Sequence, residues 1–150
     1  MRNFAGTVAV VTSGQGGSRR GLTITAVCSL SAAPPSVAIC INRKAEAHDV
    51  IRNAGVFGLS VLSTKHAALA RTFSGQDGTK GLDRFLAGQW TELETKVPLL
   101  EDAVANLDCR VMQAVDAGTH TLFCGLVVAT HVAPASRPLI YYDGEFVSLA

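Results

Sequence analysis

The sequence predicts one mainly β domain with a few short helices, folded as an antiparallel, closed or nearly closed barrel. Segments with strand-like patterns occupy both ends of the chain, and helical patterns are confined to its middle. A parallel βαβ fold would need regular alternation of strand and helix, which is missing. With 150 residues, 48% of them hydrophobic, the chain can bury one sizeable core, so we expect a single domain spanning residues 1–150.

The N-terminal third reads as three strands. Thr7–Ser13 forms the first, and the glycine-rich segment 14–21 forms a turn. The stretch from Leu22 to Ser31 alternates in polarity and is predicted to be the antiparallel return strand, its even-numbered residues in the core and its odd-numbered residues outward. Pro34 and Pro35 end it, since neither can donate to a ladder, and Val37–Asn42 is a buried strand.

The middle of the chain carries the helical signals. Residues 45–55 combine helix formers with Gly55, which suits a left-handed C-cap, and strand 56–62 follows. Ser63 can cap a second helix that stops at Gly75, and a third helical turn is expected around 82–87.

The C-terminal part returns to strands. Residues 104–118 and 119–133 form two long strands, and residues 139–149 form a hairpin around Asp143-Gly144, a strong two-residue turn signal.

Composition excludes several classes of function. Thirteen basic residues nearly balance twelve acidic ones, so no basic stripe is available for nucleic acid or an anionic membrane. Without a long apolar run or a signal-peptide pattern, we expect a cytoplasmic protein. No cysteine–histidine cluster has metal-ligand spacing, so no metal is predicted, and the four cysteines are expected to be reduced core residues: Cys28, Cys40, Cys109 and Cys124.

The predicted return strand carries a row of hydroxyls, which we call the hydroxyl row: Thr23, Thr25, Ser29 and Ser31. The simplest interpretation is an ordinary solvent-facing strand surface. The neighbouring donor cluster Asn42-Arg43-Lys44 favours another: the hydroxyls and main-chain groups could bind a polyol chain and ring edge while a cation holds a phosphate. Neither GxGxxG nor a P-loop motif occurs, which argues against a Rossmann or P-loop enzyme.

One histidine lies in a tight turn between two convincing strands. His120 follows Gly118-Thr119, where a side chain can be held at the mouth of a barrel. An ordinary turn histidine is the alternative. His48, His66 and His131 are expected to be surface residues.

The order of these landmarks resembles the short-chain flavin reductases. GLTITAVCSLSAAPPSVAICIN is similar to the flavin-binding segment of that family, LARTFSG to its LAxxFxG helix end, and DRFLAGQW to its RF and W segment. GTHTLFCGLV is similar to its GDH-containing motif and PLIYYDGEFVSL to its C-terminal hairpin. GTH in place of GDH, with LDCRV, brings the chain closest to reductase components that supply reduced flavin to monooxygenases, such as those for 4-hydroxyphenylacetate or uracil breakdown.

The resemblance implies a split β-barrel that binds FMN, or FAD, at a homodimer interface. Asn42, Arg43 and Lys44 would then lie near the phosphate, Phe73 would close the site, and His120 would orient the nicotinamide, with Tyr141 or Tyr142 covering the same face. The residues implied to meet the ribityl chain and isoalloxazine edge are Thr23, Thr25, Ala26, Ser29, Leu30 and Ser31.

The implied function is that of an NAD(P)H:flavin oxidoreductase, using NADH or NADPH, that passes reduced flavin to a partner monooxygenase. The alternative is a non-catalytic flavin-binding or sensor protein of the same fold. A pyridoxal-phosphate-linked oxidase on a similar barrel lacks motif support, and a purely structural protein would not need the hydroxyl row, GTH and Asn-Arg-Lys together.

Overall fold

The computed structural model describes residues 1–133 and 136–150, and within these ranges strands dominate. The two α-helices are α1 (Glu46–Ala54) and α2 (Ala67–Ser74), and short 3-10 helices span Gly16–Ser18, Thr64–His66 and Gly81–Leu86. The strands are β1 (Gly6–Thr7), β2 (Ala9–Ser13), β3 (Arg20–Ile24), β4 (Val27–Ala32), β5 (Pro35–Asn42), β6 (Val56–Val61), β7 (Trp90–Thr91), β8 (Leu99–Leu100), β9 (Ala105–Ala117), β10 (His120–Val132), β11 (Leu139–Tyr142) and β12 (Glu145–Ser148).

A seven-stranded antiparallel sheet forms the body of the molecule, in the order β3-β2-β6-β9-β10-β5-β4. Its two edge strands, β3 and β4, are consecutive in the chain and are joined only by Thr25-Ala26. A link of two residues spans about 10 Å at most, so the sheet must curl until its edges approach each other. The result is a barrel that is open between its two edge strands, and we call the link Thr25-Ala26 the seam.

A smaller sheet covers the outside of this barrel. Its order is β1-β11-β12, with Thr7 paired to Ile140 and a hairpin turning at Asp143-Gly144, both of which have positive φ. That conformation is the one expected of a two-residue Asx-Gly hairpin turn.

Two hydrophobic clusters pack against opposite faces of β2. Ala9 and Val11 point into the barrel, where the fully buried Phe57 and Phe123 fill the centre. Val10, and Val8 just before the strand, point outward onto a second cluster under α2. Because β2 is buried on both faces, it is apolar at consecutive positions, unlike a solvent-facing strand.

Both predicted helix stops are confirmed. Gly55 has φ 68° and its N–H donates to the carbonyl of Ile51, and Gly75 has φ 78° at the end of α2. Each glycine adopts the left-handed conformation that satisfies a terminal carbonyl at low steric cost. Within the described ranges, no helix is long and apolar enough to span a membrane.

The prediction of one continuous strand from Leu22 to Ser31 is wrong, because β3 ends at Ile24 and β4 begins at Val27. The break also overturns the expected core positions: Cys28 is exposed and Leu30, at a bulge in β4, is 50% exposed. Val27 packs against the barrel core instead. A period-2 pattern predicts sidedness only while the backbone stays straight, and both the seam and the bulge reset it.

Two histidines expected at the surface are buried. His48 on α1 is 4% exposed and His66, before α2, is 7% exposed. His66 Nδ1 is 3.1 Å from the N–H of Ser63, for which it acts as acceptor, and its Nε2 lies 3.1 Å from Asp102 Oδ1. Hydrogen bonds at both ring nitrogens make this burial tolerable, and the linear sequence contains no signal of the distant partner, Asp102.

Candidate functional site

The seam is the segment Thr25-Ala26 between the two edge strands. The N–H of Cys40 donates to the carbonyl of Ala26 at 3.0 Å, which ties the seam to β5. On the other side, a Cβ added to Gly6 would lie 3.0 Å from Thr25 Cβ, so β1 approaches the seam closely and a larger residue would crowd it. The seam is therefore held between β1 and β5 with the Thr25 side chain exposed.

A groove opens beside the seam. Its volume is about 470 Å³, and it is lined by the hydroxyl-bearing Thr25 and Ser29 and by apolar side chains that include Val27, Val37 and Leu59. Ligand sites in proteins commonly have volumes of about 300–1,000 Å³ and combine apolar walls with a few polar groups. The groove thus has the size and mixed lining for a flat ring that carries a hydroxylated chain.

Thr23 belongs to a different cleft, on the β3 side of the seam. This cleft, of about 360 Å³, is also lined by Lys44 and Phe73. The Thr23 hydroxyl donates to the carbonyl of Ala70 at 2.7 Å, so it is already engaged with α2. The expected hydroxyl row is consequently divided between two surfaces.

Phe73 is a core residue beneath the floor of this cleft. It is fully buried, and its ring centre lies 5.3 Å from that of Phe85 and 5.4 Å from that of Trp90. A Cβ on Gly21 would lie 2.8 Å from the Phe73 ring, so the ring supports the strand at Gly21 from below. The resemblance implies that Phe73 closes the site; in the structure its ring is fully buried and supports Gly21, which lines the same cleft.

Arg84 was not singled out in the sequence, although it stands in the quoted segment DRFLAGQW. Its guanidinium donates to the carbonyls of Gly21 and Phe73, at 2.9 and 3.1 Å, and it lines the same cleft. These bonds fix α2 to β3. Arg84, Lys44 and Lys80 all line the cleft beside a single carboxylate, Glu46, so its lining is net positive, which suits a phosphate.

The donor cluster Asn42-Arg43-Lys44 follows β5 and faces the β9–β10 turn. Asn42 Oδ1 accepts from the N–H of Lys44 at 2.9 Å, and the N–H of Arg43 donates to the carbonyl of Thr119 at 2.9 Å. A depression of about 470 Å³ lies between this cluster and Gly118-Thr119. Both cationic side chains of the cluster are exposed and free to meet an anion.

His120 is placed directly across from Asn42 in the β5–β10 ladder. Its Nδ1 is 2.8 Å from the Thr119 hydroxyl. When that hydroxyl donates, Nε2 carries the ring proton and becomes a donor for a ligand oxygen. Ala26 is bonded to Cys40, two residues before Asn42 and hence about 7 Å along the strand. The seam and His120 therefore lie at the same end of β5.

Four other residues implied by the resemblance line none of the three pockets described above. Leu30 and Ser31 are on the outer edge strand β4, where the Ser31 hydroxyl accepts from the N–H of Ala33 at 3.2 Å. Tyr141 pairs with Gly6 and packs on Phe146 with ring centres 5.7 Å apart, while Tyr142 is exposed. The structure does not bring these four side chains together with His120 in one cavity of the protomer. In residues 1–133 and 136–150, no group of three or more potential metal-ligating side chains occurs.

Comparison with known proteins gives consistent results over the full length. Residues 1–150 match the family model described as "Flavin reductase like domain". A protein named FMN reductase (NADH) RutF from Variovorax paradoxus is 38% identical over 151 residues, covering 100% of this chain and 82% of that protein. The reductase component of the FADH(2)-dependent resorcinol hydroxylase from Rhizobium sp. is 36% identical, covering 97% of this chain and 82% of that protein.

Solved structures give the same result. The NADH:FAD oxidoreductase SgcE6 of Streptomyces globisporus has a TM-score of 0.91 and 34% identity, covering 99% of this chain and 88% of that chain. Its complex with NAD and FAD fragments has a TM-score of 0.90 and 32% identity, covering 99% of this chain and 87% of that chain. The predicted split-barrel fold class is confirmed. The chain belongs to the flavin reductase family.

Proposed function

We propose that this protein is an NADH-dependent flavin reductase that binds FMN beside the seam and reduces it. The observation that carries the proposal is the position of His120 opposite Asn42, at the end of β5 to which Ala26 is bonded. A cofactor ring lying over the seam would have His120 within reach of its open side. Relatives named FMN reductase (NADH) support the choice of FMN and NADH; FAD and NADPH are the alternatives to be compared in the assay.

The proposed flavin contacts follow from the lining of the two surfaces beside the seam. Thr25 and Ser29 present their hydroxyls to a polyol, and Ala26, whose carbonyl is bonded to Cys40, would meet the ring edge through its N–H. Arg43 and Lys44 provide charge for the phosphate. Thr23, whose hydroxyl is engaged, and Phe73, which is buried, would shape the site without bonding the ligand.

The chemistry requires little of the protein beyond binding and orientation. Hydride transfer from nicotinamide to flavin is supplied by the two cofactors when they are bound. His120 would hold the carboxamide of the nicotinamide through Nε2–H, which fixes the face presented to the ring. No acid–base pair is needed, because positioning two reactants in contact is itself a large part of the rate enhancement.

We further propose that the protein works in the cytoplasm as a homodimer and delivers reduced flavin to a separate monooxygenase. Leu30 and Ser31 lie on an open edge strand, where a second copy could bring them to the flavin site. A relative that is the reductase component of a hydroxylase supports the role of supplier. Light scattering of the purified protein tests the dimer, since a monomeric mass would contradict it.

The decisive test is His120→Ala with His131→Ala as the matched control, because both histidines lie on β10 but His131 is exposed at its far end. We expect His120→Ala to raise KM for NADH about tenfold or more, as expected for loss of a hydrogen bond worth about 1.5 kcal/mol, with little change in flavin affinity. Equal losses of NADH and flavin affinity, or no effect on either, would reject the role. If the unmodified protein oxidised neither NADH nor NADPH with added FMN or FAD, it would be a flavin-binding protein that is not an enzyme.

The flavin contacts are tested by Thr25→Val and Ser29→Leu, with Thr130→Val as a control for an exposed strand hydroxyl outside the groove. We expect a loss of FMN affinity in the first two and an unchanged melting temperature in all three. A flavin titration in which the groove variants bind like Thr130→Val would place the cofactor elsewhere. Flavin absorbance retained after dialysis would identify a bound prosthetic group, and its loss would identify a diffusible substrate.

A further inference from the structure

A chain of polar side chains lies beneath the β9–β10 turn and is not part of the proposed ligand contacts. We call it the turn clamp: Arg52, Asp116, Thr121 and His48. Arg52 donates to Asp116 Oδ1 at 2.5 Å, the Thr121 hydroxyl donates to the same oxygen at 2.7 Å, and His48 Nε2 lies 2.8 Å from that hydroxyl. The clamp therefore connects α1 to the base of the turn that carries His120.

The Thr121 hydroxyl is the centre of the clamp. It has one proton, which it gives to Asp116, and it accepts from Arg52 at 3.2 Å; His48 Nε2 lies 2.8 Å away, and His48 Nδ1 lies 2.8 Å from Asp49 Oδ1. Thr121 is fully buried and His48 is 4% exposed, so water cannot replace a missing partner without rearrangement. The hydroxyl of Thr121 is thus surrounded by polar groups of three residues, one on β9 and two on α1.

In the β9–β10 hairpin, the residue pair that contains Thr121 and Asp116 is next to the pair that contains His120, on the side away from the turn. His120 pairs with Ala117 across β9 and β10, and the next pair is Asp116 with Thr121. Only Gly118 and Thr119 lie beyond, and Thr119 is bonded to Arg43. The turn is consequently fixed from α1 on one side and from the end of β5 on the other.

Charge supports the same arrangement. The hydrogen bond from Thr121 and the Arg52 guanidinium lower the pKa of Asp116 below its ordinary value, with a further contribution from Arg43. The carboxylate therefore remains ionised at neutral pH, and both of its cationic neighbours lie on segments packed against the turn.

We propose that Thr121, Asp116, Arg52 and His48 are positioning residues that hold His120 in the orientation required to bind NADH. The proposal rests on the proposed function, because it assumes that His120 contacts the nicotinamide. The clamp residues touch neither cofactor; they act through the turn.

The first experiment compares Thr121→Val, which keeps shape and loses the hydroxyl, with Thr121→Ser, which keeps the hydroxyl. Thr121→Val should raise KM for NADH about fivefold and change FMN affinity less than twofold, whereas Thr121→Ser should behave like the unmodified protein. In a His120→Ala background, Thr121→Val should have no further effect on KM, since residues that act as a unit are non-additive. A fivefold rise that persists without His120 would overturn the proposal.

The second experiment uses amide hydrogen exchange and does not depend on activity. Thr121→Val should speed exchange at His120 and at Arg43, whose N–H bonds to the turn, and Thr121→Ser should not. Unchanged exchange would overturn the clamp while leaving the proposed function intact. If His120→Ala leaves KM for NADH unchanged, the nicotinamide role of His120 and the proposal built on it both fail, whatever the exchange rates show.

A further pair of variants covers the case in which Thr121→Val does not fold. Arg52→Gln removes the ion pair between Arg52 and Asp116, both of which are partly exposed. Arg110→Gln breaks an ion pair of similar exposure, Arg110–Glu94, far from the turn. We expect Arg52→Gln to raise KM for NADH and to speed exchange at His120, and Arg110→Gln to do neither. Equal behaviour of the two variants would contradict the proposal.

Discussion

Gly125 lies on β10 opposite a bulge in β9 and faces the barrel core, and Gly125→Ala should destabilise the protein by about 2 kcal/mol. An added Cβ would lie 2.4 Å from Phe57 Cζ and 3.0 Å from Cys109 Cβ. Carbon atoms in contact lie about 3.5–4.0 Å apart, so the ring would have to retreat by about 1 Å. Phe57 and Cys109 are both fully buried, which leaves no open space for that movement.

The expected loss of unfolding free energy in Gly125→Ala is the difference between two opposing effects. Overpacking a well-filled core by one carbon typically costs about 1–3 kcal/mol, and the contact on both sides puts this site near the upper end. Replacing a strand glycine by alanine also stabilises the folded state by about 0.5–1 kcal/mol, because the unfolded chain loses conformational freedom. The net loss of about 2 kcal/mol corresponds to a melting temperature lower by about 4–8 °C for a domain of this size.

Urea unfolding, followed by the fluorescence of Trp90, the single tryptophan, measures this loss at fixed protein concentration. Gly17→Ala is the matched control, because nothing lies within 4 Å of its added Cβ. We expect the control to change the unfolding free energy by less than about 0.5 kcal/mol. If Gly125→Ala unfolded at the same urea concentration as Gly17→Ala, the core around Phe57 would not be packed as described.

Two further predictions concern titratable groups. Burial, reinforced by the charge of Asp108, raises the pKa of the Cys109 thiol to about 12. Iodoacetamide at pH 8 should therefore leave Cys109 unmodified in the native protein and modify it in guanidinium. Labelling of Cys109 in the native protein, detected by peptide mass spectrometry, would contradict this. The hydrogen bond from Lys65, followed by that from His66, lowers the pKa of Asp102 below its ordinary value of 3.8. Because the pKa of Asp102 is lower in the folded state, its stabilisation is fully present above the ordinary value of 3.8. The stabilisation is lost as the pH falls below 3.8 and through the folded pKa. Urea midpoints between pH 5 and pH 3 should therefore fall less steeply for Asp102→Asn than for the unmodified protein, and equal slopes would refute the contribution.

Much of the fold could be predicted because its signals are local. Gly55 and Gly75 end their helices through backbone conformations that glycine adopts easily, and Asp143-Gly144 makes its turn for the same reason. The long strands β9 and β10 are similarly encoded in runs of β-forming residues. Such features depend on residues only a few positions apart, so they can be recognised without knowing what else the chain contacts.

The candidate site could be predicted only in part. The segment around Thr25, the Asn42-Arg43-Lys44 cluster and His120 were all identified in the sequence, and the pairing of Asn42 with His120 brings the last two together. The division of the hydroxyl row was not foreseeable, since Leu22 to Ser31 alternates as one strand would. Only the curling of the sheet makes Thr25-Ala26 a link between two edges.

The sequence by itself determined that this chain makes an antiparallel barrel, where its two helices and its C-terminal hairpin turn end, and which motifs relate it to flavin reductases, because each depends on neighbouring residues or on their order. Tertiary structure alone decided that His48 is buried against Thr121, that Cys28 is exposed and that Thr23 bonds to α2. Burial and hydrogen bonding at these positions depend on segments 47 to 73 residues away, or on which edge of a closing sheet the strand occupies. No local pattern carries that information.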